Sequence, residues 1–284
     1  MGFAHAATMS AIHVFNHTAM ATHFQVRIAG EELTYAGQAA QAAFTLVDSL
    51  ESKLSRFRAN SEISQIAQLA AGEKLRLTEP VLACLRLAQK MEFATRGAFS
   101  VTAAALKTQA KKPLWSLVEN EFSIRCDSGR LEFDLGAIGK GFALDRVAEV
   151  LREWSCPAFL LVAGGSSILA GDAPENYDGW SCGLGEDHTT QRFFLANCSL
   201  SGSGLAVKGE HILDPRTGLP CARRSRAWAL ADTAAESDAL STAGMILREE
   251  EISAVVSRNE SWLVLLNKDG NWQTLGRRIP PAVA

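Results

Sequence analysis

No run of residues in this 284-residue sequence approaches the roughly 20 consecutive apolar positions that a membrane-spanning helix needs. The opening stretch MGFAHAATMSAIHVFNHTAM lacks the cationic start and unbroken apolar core of a secretory signal, and Ala6 stands where a myristoylation motif wants Ser or Thr. The six cysteines, Cys84, Cys126, Cys156, Cys182, Cys198 and Cys221, form no C-x-x-C pair. Neither a zinc site nor a redox dithiol is therefore indicated, and they read as small buried hydrophobes. Charge of one sign is not in excess: a net charge of −3 gives no electrostatic reason to expect nucleic acid or an anionic membrane as partner. No serine sits in a G-x-S-x-G elbow, since Ser166 and Ser167 follow Gly164-Gly165 with the wrong flank, which disfavours that class of hydrolase. Repeats, low-complexity tracts and linkers are missing too. What these absences leave is an ordinary globular composition, 47% hydrophobic and 21% charged, expected in the cytoplasm and long enough for one large domain or two small ones.

The stretch around which the rest is organised runs from Leu131 to Trp154. Leu131, Phe133 and Leu135 alternate with Glu132 and Asp134, the period of a half-buried strand. Gly136, Gly139 and Gly141 follow, with Lys140 between the last pair. Ala143, Val147, Val150, Leu151 and Trp154 then recur at helical spacing. Strand, glycine turn with a lysine, and helix is a way to bring backbone N–H groups and one cation to a phosphate. The glycine spacing matches neither G-x-G-x-x-G nor the P-loop, so an ordinary strand-to-helix turn stays equally open.

Elsewhere the patterning predicts a strand over His23 to Ile28, a helix over Gln38 to Leu54, and a polar loop over Ser55 to Ser64 that exposes Phe57. A helix opens at Thr78 before Glu79-Pro80 and stops at Gly97. Glu121–Arg125 and Leu131–Leu135 read as a hairpin, as do Trp180–Leu184 with Arg192–Leu200, and Trp262–Leu266 with Trp272–Leu275. Phe159 to Val162 is a short apolar strand, Ser199–Gly204 and His211–Gly218 read as loops, and Ala234 to Leu247 as a helix. Hairpins with a few long helices give an α+β fold of mostly antiparallel sheets and flanking helices.

Two groups carry candidate chemistry. Asp238, Ser241 and Thr242 stand at i, i+3 and i+4, so their oxygens share one helical face beside the apolar face of Leu240, Ala243 and Leu247. A carboxylate and two hydroxyls make a partial shell for Mg²⁺, and they also make an ordinary helix cap; the pattern permits both. His211 precedes an apolar pair and the turn Asp214-Pro215-Arg216-Thr217-Gly218. It is placed to act as a base or orient a phosphate, or to satisfy the backbone of its own turn.

Taken in order, MATHFQVRI, SRFRANSEIS, RGAFSVT, DLGAIGKGFALD, VAGGSSILAGD, SLSGSG, HILDPRTGLP and SDALSTA resemble the segments of the ApbE family of FAD:protein FMN transferases, from about Met20 to Ile246. HILDPRTG and DLGAIGKG are the specific motifs among them. The resemblance implies a two-lobed α+β unit over residues 20–284, preceded by an extension over 1–19, that binds FAD between the lobes with Mg²⁺ on the diphosphate. It implies transfer of FMN to a Ser or Thr hydroxyl of a target flavoprotein, with AMP leaving. Matched by motif, Met20, Phe57, Ala98, Phe99, Ser100, Asp134, Lys140 and Ile212 would contact FAD. Ala137 would give its carbonyl to Mg²⁺ beside Asp238, Thr242 and Ser241, and His211 would be the catalytic histidine. On this reading Asp238→Ala removes activity while leaving the fold near native, and His211→Ala slows transfer more than it weakens FAD binding. Ala21 replaces the glycine of the family's Met-Gly-Thr, Ser100 stands where Asp is common, and only Leu205 to Glu210 precede His211 where a longer insert is frequent. Many members are exported with a lipid-bearing N-terminal Cys, and no Cys precedes Cys84 here, so a cytoplasmic location and target are expected. Hydrolysis of FAD to FMN and AMP, and flavin binding without turnover, remain open beside transfer.

Overall fold

The computed structural model describes residues 11–103, 114–128, 131–184, 191–204, 212–221, 223–268 and 271–276. Its strands are β1 (Ile12–Ala19), β2 (Thr22–Ala29), β3 (Lys74–Arg76), β4 (Leu114–Val118), β5 (Ser123–Ser128), β6 (Phe159–Ala163), β7 (Ser167–Ala170), β8 (Trp180–Leu184), β9 (Gln191–Leu195), β10 (Cys198–Gly204), β11 (Leu213–Asp214), β12 (Leu219–Pro220), β13 (Arg226–Ala231), β14 (Leu263–Lys268) and β15 (Asn271–Gly276). The helices are α1 (Leu33–Leu54), α2 (Glu62–Ile66), α3 (Glu79–Ala94), α4 (Gly139–Glu153), α5 (Ala234–Ile246) and α6 (Glu249–Val256). An eight-stranded sheet in the order β1-β2-β6-β7-β10-β13-β14-β15 forms the backbone of the fold, and a three-stranded sheet β3-β5-β4 accompanies it. Every pairing among the described strands is antiparallel.

The alternation of the central strands explains the layering. Phe24, Val26 and Ile28 of β2 and Phe159, Leu161 and Ala163 of β6 point to one face, where they share a core with α1, α4 and α5. That core continues without a break into Ile63, Val81, Leu82, Ile124 and Cys126 of the smaller sheet and its helices, so the two parts form one unit. Leu160, Leu200, Leu230, Leu263 and Leu265 face the other way and are covered by Trp180, Cys182, Phe193 and Leu195 of the β8–β9 hairpin. Burial pushes the Cys84 and Cys182 thiols up to about 12, in keeping with cysteines that serve as packing groups.

Several elements differ from the sequence-based expectation. Leu131 to Leu135 keeps its alternation, with Leu131, Phe133 and Leu135 buried, but it pairs with no strand among the described residues; Asp134 N–H bonds the Val101 carbonyl at 2.7 Å. The hairpin partner is therefore different: β5 pairs with β3 and β4. Ser199–Gly204 is not a loop but most of β10, in the interior of the large sheet. The expected strand Arg192–Leu200 is broken at Asn197, whose φ of +51° turns the chain out of the β8–β9 hairpin and into the large sheet. Helix α1 begins five residues before Gln38, with Glu32 accepting from the Tyr35 N–H at its N-terminus, and Glu62 already starts α2 inside the expected loop. Residues 12–19, assigned to the extension, form edge strand β1 and pair along their whole length with β2. The helix expected at Thr78 forms, and Gly97, at φ +77°, follows its end. No helix among the described residues is long and apolar enough to cross a membrane.

Candidate active site

Helix α5 is buried on almost every side: of its residues only Thr242 keeps partial exposure. Its polar side chains therefore need partners inside the protein. Strand β10 supplies them. Ser199, Ser201 and Ser203 alternate with Leu200 and Gly202, so all three hydroxyls face α5. Ser201 bonds Ser237 at 2.8 Å, and Ser203 bonds Ser241 at 2.9 Å and Thr242 at 3.2 Å. Ser199 donates to the carbonyls of Ala231 and Thr233 just before the helix.

Asp238 lies where α5 crosses the start of α4. Ser167 Oγ of β7 donates to one carboxylate oxygen at 2.6 Å, and the Gly141 N–H donates to the other at 2.8 Å. Asp145, one turn further along α4, returns the exchange: it accepts from the N–H groups of Ala234 and Ala235 at 2.6 and 2.9 Å. Each helix thus has its first turn capped by a carboxylate from the second turn of the other. Gly141 permits the approach, because a Cβ there would run into the Ala234 carbonyl.

The exchange has a local consequence. In a continued helix the Gly141 N–H would bond the carbonyl four residues back, that of Ala137. Here it goes to Asp238, and among the described residues no N–H takes its place at the Ala137 carbonyl. An orphaned carbonyl, the Asp238 carboxylate and the Thr242 hydroxyl are an all-oxygen donor set of the kind a hard divalent cation takes when water and phosphate complete its shell. Charge agrees. Asp238 is buried and no cation among the described residues pairs with it, whereas its neighbour Glu236 is neutralised by Lys90 at 2.6 Å. The residues present fit a divalent ion. Ser241 is the weaker donor, since it is buried and its hydroxyl donates to the Asp238 carbonyl at 3.0 Å. Among the described residues no group of three His, Cys, Asp or Glu side chains offers a different metal site.

The remaining expected residues lie on several other elements. Asp134 bonds the Gly136 N–H at 2.9 Å, shaping the turn that leads into α4, and pairs with Arg56 at 3.4 Å. Arg56 lies over the Phe57 ring, 4.8 Å from its centroid, and that ring is 83% exposed, free to stack on a ligand. Lys140 is half-buried, with Nζ 3.4 Å from the Gly136 carbonyl. Ala98 and Phe99 are buried in the core, which leaves their backbone and the Ser100 side chain as possible contacts; Ser100 bonds Thr102 at 3.1 Å. Met20 sits in the β1–β2 turn, near the β6–β7 turn, where Gly164 N–H bonds the His23 carbonyl at 2.9 Å. Ile212 is buried beside the hairpin β11–β12. His211, and the short stretch Leu205 to Glu210, lie outside the described residues. The turn that follows Ile212 is held by Arg216, which forks onto both oxygens of Asp214 at 2.9 and 2.8 Å and reaches Glu251 of α6 at 3.0 Å. Backbone bonding from Arg248, joined by the Arg248 and Arg216 side chains, holds the Glu251 carboxyl down to about 2. The Arg216 stem also touches the Gly97 position, 3.6 Å from where its Cβ would be, so HILDPRTG and RGAFSVT are neighbours.

A model of the ApbE family matches residues 20–266. This chain belongs to the ApbE family. Its structure superposes on the ApbE protein of Thermotoga maritima with a TM-score of 0.80 at 21% identity, covering 93% of this chain and 96% of that one. The flavinyl transferase ApbE of Pseudomonas stutzeri gives 0.78 at 18%, covering 94% and 95%. In sequence, the FAD:protein FMN transferase of Haemophilus influenzae is 25% identical over 264 residues, 78% of this chain and 73% of that protein. The enzyme of the same name from Vibrio cholerae is 23% identical over 262 residues, 78% and 77%. The ApbE fold thus extends over nearly all of the chain. Ser167, Ser203 and Asp145 bond into this junction, and none of them was assigned a role in it from the sequence. The signal for Ser203 was present, since Ser-x-Ser-x-Ser has the period of a strand face.

Proposed function

We propose that this ApbE-family protein is a flavin transferase that moves FMN from FAD to a Ser or Thr hydroxyl of a target flavoprotein, releasing AMP, with Mg²⁺ at the α4–α5 crossing. The observation that carries the reading is the bond from Gly141 to Asp238, which joins the two motif segments and, among the described residues, leaves the Ala137 carbonyl without a donor and buried Asp238 without a cation. The names of the relatives support the reaction type.

In the reaction, the acceptor hydroxyl oxygen forms a bond to the phosphorus on the FMN side, and the bridging P–O bond breaks. AMP carries off that electron pair and the hydroxyl proton passes to a base. His211 is assigned as that base by resemblance. Asp238, Ala137 and Thr242 would hold Mg²⁺, which would supply charge neutralisation for the diphosphate. This chain's own contribution is positioning. Two helix N-termini meet at the junction, where the Asp145 and Asp238 carboxylates take their first-turn N–H groups and hold the helices in place. Lys140 adds a cation at the mouth, Phe57 offers a face for a flavin or adenine ring, and Asp134 fixes the turn between them.

The test is to incubate the protein with FAD, Mg²⁺ and a flavoprotein encoded beside it. Transfer gives an FMN-sized mass increase on a Ser or Thr peptide of the acceptor, lost on adding a chelator. Rapid FMN release without any acceptor would instead make the protein an FAD hydrolase. Intact, stoichiometric FAD after incubation with Mg²⁺ would make it a binding protein.

A further inference from the structure

The carboxylate exchange between α4 and α5 has two rungs, and only one is claimed by the divalent site. Asp238 both caps α4 and faces the proposed ion. Asp145 touches neither ion nor flavin in that scheme, yet it is partly buried between the two helices and spends both oxygens on the Ala234 and Ala235 N–H groups. We propose that Asp145 is the positioning residue of the divalent site, setting the seat of α5 against α4 so that Asp238 and the Ala137 carbonyl converge on one ion. This rests on the reading of the α4–α5 crossing given above.

The argument is one of register. Ala234 and Asp238 are four residues apart on α5, as Gly141 and Asp145 are on α4, so the two rungs are stacked one helical turn apart on facing surfaces. The first-turn N–H groups of α5 are otherwise fully assigned. Glu236 N–H goes to Thr233 Oγ at 3.3 Å and Ser237 N–H to the Thr233 carbonyl at 3.1 Å, which leaves Ala234 and Ala235 to Asp145 alone. Without Asp145 those two donors are buried and unpaired, and the first turn of α5 must move to find partners. Asp238 follows within one turn. If it releases the Gly141 N–H, that N–H is free to return to the Ala137 carbonyl in an ordinary helical bond, and the carbonyl is lost as a ligand. One side chain remote from the ion thereby governs two of its ligands. Gly141 holds the crossing close, and Ser167 holds the other oxygen of Asp238, so the remaining freedom is the seat of α5.

The test uses the full-length protein with FAD, in buffer above neutral pH, and reads Mn²⁺ binding by electron paramagnetic resonance alongside urea unfolding. Asp145→Asn keeps the shape and one acceptor oxygen; Asp145→Ala removes both. The expected result is Mn²⁺ bound about tenfold more weakly by Asp145→Asn and weaker still by Asp145→Ala, a loss of the size seen when partners behind a ligand are removed. Should Asp145→Ala fail to fold, Asp145→Asn decides alone. A variant that is less stable yet binds Mn²⁺ as tightly as the parent would make Asp145 a structural cap only and overturn the inference, leaving the divalent site intact. A parent protein that binds no Mn²⁺, or an Asp238→Asn variant that binds it as well as the parent, would sink the divalent site itself and this inference with it.

Discussion

Asp238 accepts hydrogen bonds on both carboxylate oxygens while standing ready for a cation, and this changes what its removal does. Asp238→Ala leaves Ser167 Oγ buried without its acceptor and sends the Gly141 N–H back towards the Ala137 carbonyl, so it lowers stability by about 1–3 kcal/mol in addition to removing a ligand. A loss of that size is compatible with the near-native fold expected from sequence; urea unfolding of the variant without metal measures it. Asp145 responds to pH. Burial pushes its carboxyl from the ordinary 3.8 up to about 7, against the two backbone bonds that favour the charged form and with Asp238 and Glu236 adding to the rise. Between those values the folded state holds a proton that the unfolded chain has released, so this group's contribution to stability is full at acid pH and declines as pH rises towards about 7. Asp145→Asn removes that decline, which paired unfolding curves with and without the substitution will show in chelator-treated protein. Ala21 is strained differently. Met20 and Ala21 both hold left-handed backbone, at φ +51° and +54°, in a two-residue turn that favours glycine. Ala21→Gly is expected to stabilise the protein by about 1 kcal/mol, seen as a rise in Tm of roughly 2–4 °C.

Helices α4 and α5 are a pair whose close crossing depends on Gly141. Gly141→Ala places a methyl group against the Ala234 carbonyl and must push the helices apart, at about 1–3 kcal/mol, loosening both rungs. Loss of protection at the Ala234 and Ala235 amides in hydrogen exchange reports this directly; unchanged protection would show that the crossing tolerates the methyl. The helices themselves were legible because their apolar stripes repeat over several turns, as in Phe44, Val47, Leu50 and Leu54 of α1. Two segments were misread for physical reasons. In β10 the serines look like loop residues, but they are paired across to Ser237, Ser241 and Thr242, a contact no local pattern contains. Leu131 to Leu135 shows the reverse: a strand's alternation with no strand beside it among the described residues, because burial of Leu131, Phe133 and Leu135 alone produces that period. Asp145 escaped notice because an acidic residue in a helix reads as a solvated position until a second helix is seen to end on it.

The whole molecule places an eight-stranded sheet beneath helices that carry the chemistry, with a smaller sheet continuing the same core. That arrangement brings together segments a hundred residues apart in the chain, and the order of motifs anticipated which ones: DLGAIGKG meets SDALSTA at Gly141 and Asp238, and HILDPRTG meets RGAFSVT at Arg216 and Gly97. What the order of motifs did not contain was the means, the exchange of carboxylates that frees one carbonyl. The most direct measurement is anomalous diffraction from a crystal grown with Mn²⁺ and FAD. The account predicts a single strong peak bonded to an Asp238 carboxylate oxygen and the Ala137 carbonyl oxygen. A peak bonded to neither, with FAD in place, would contradict it.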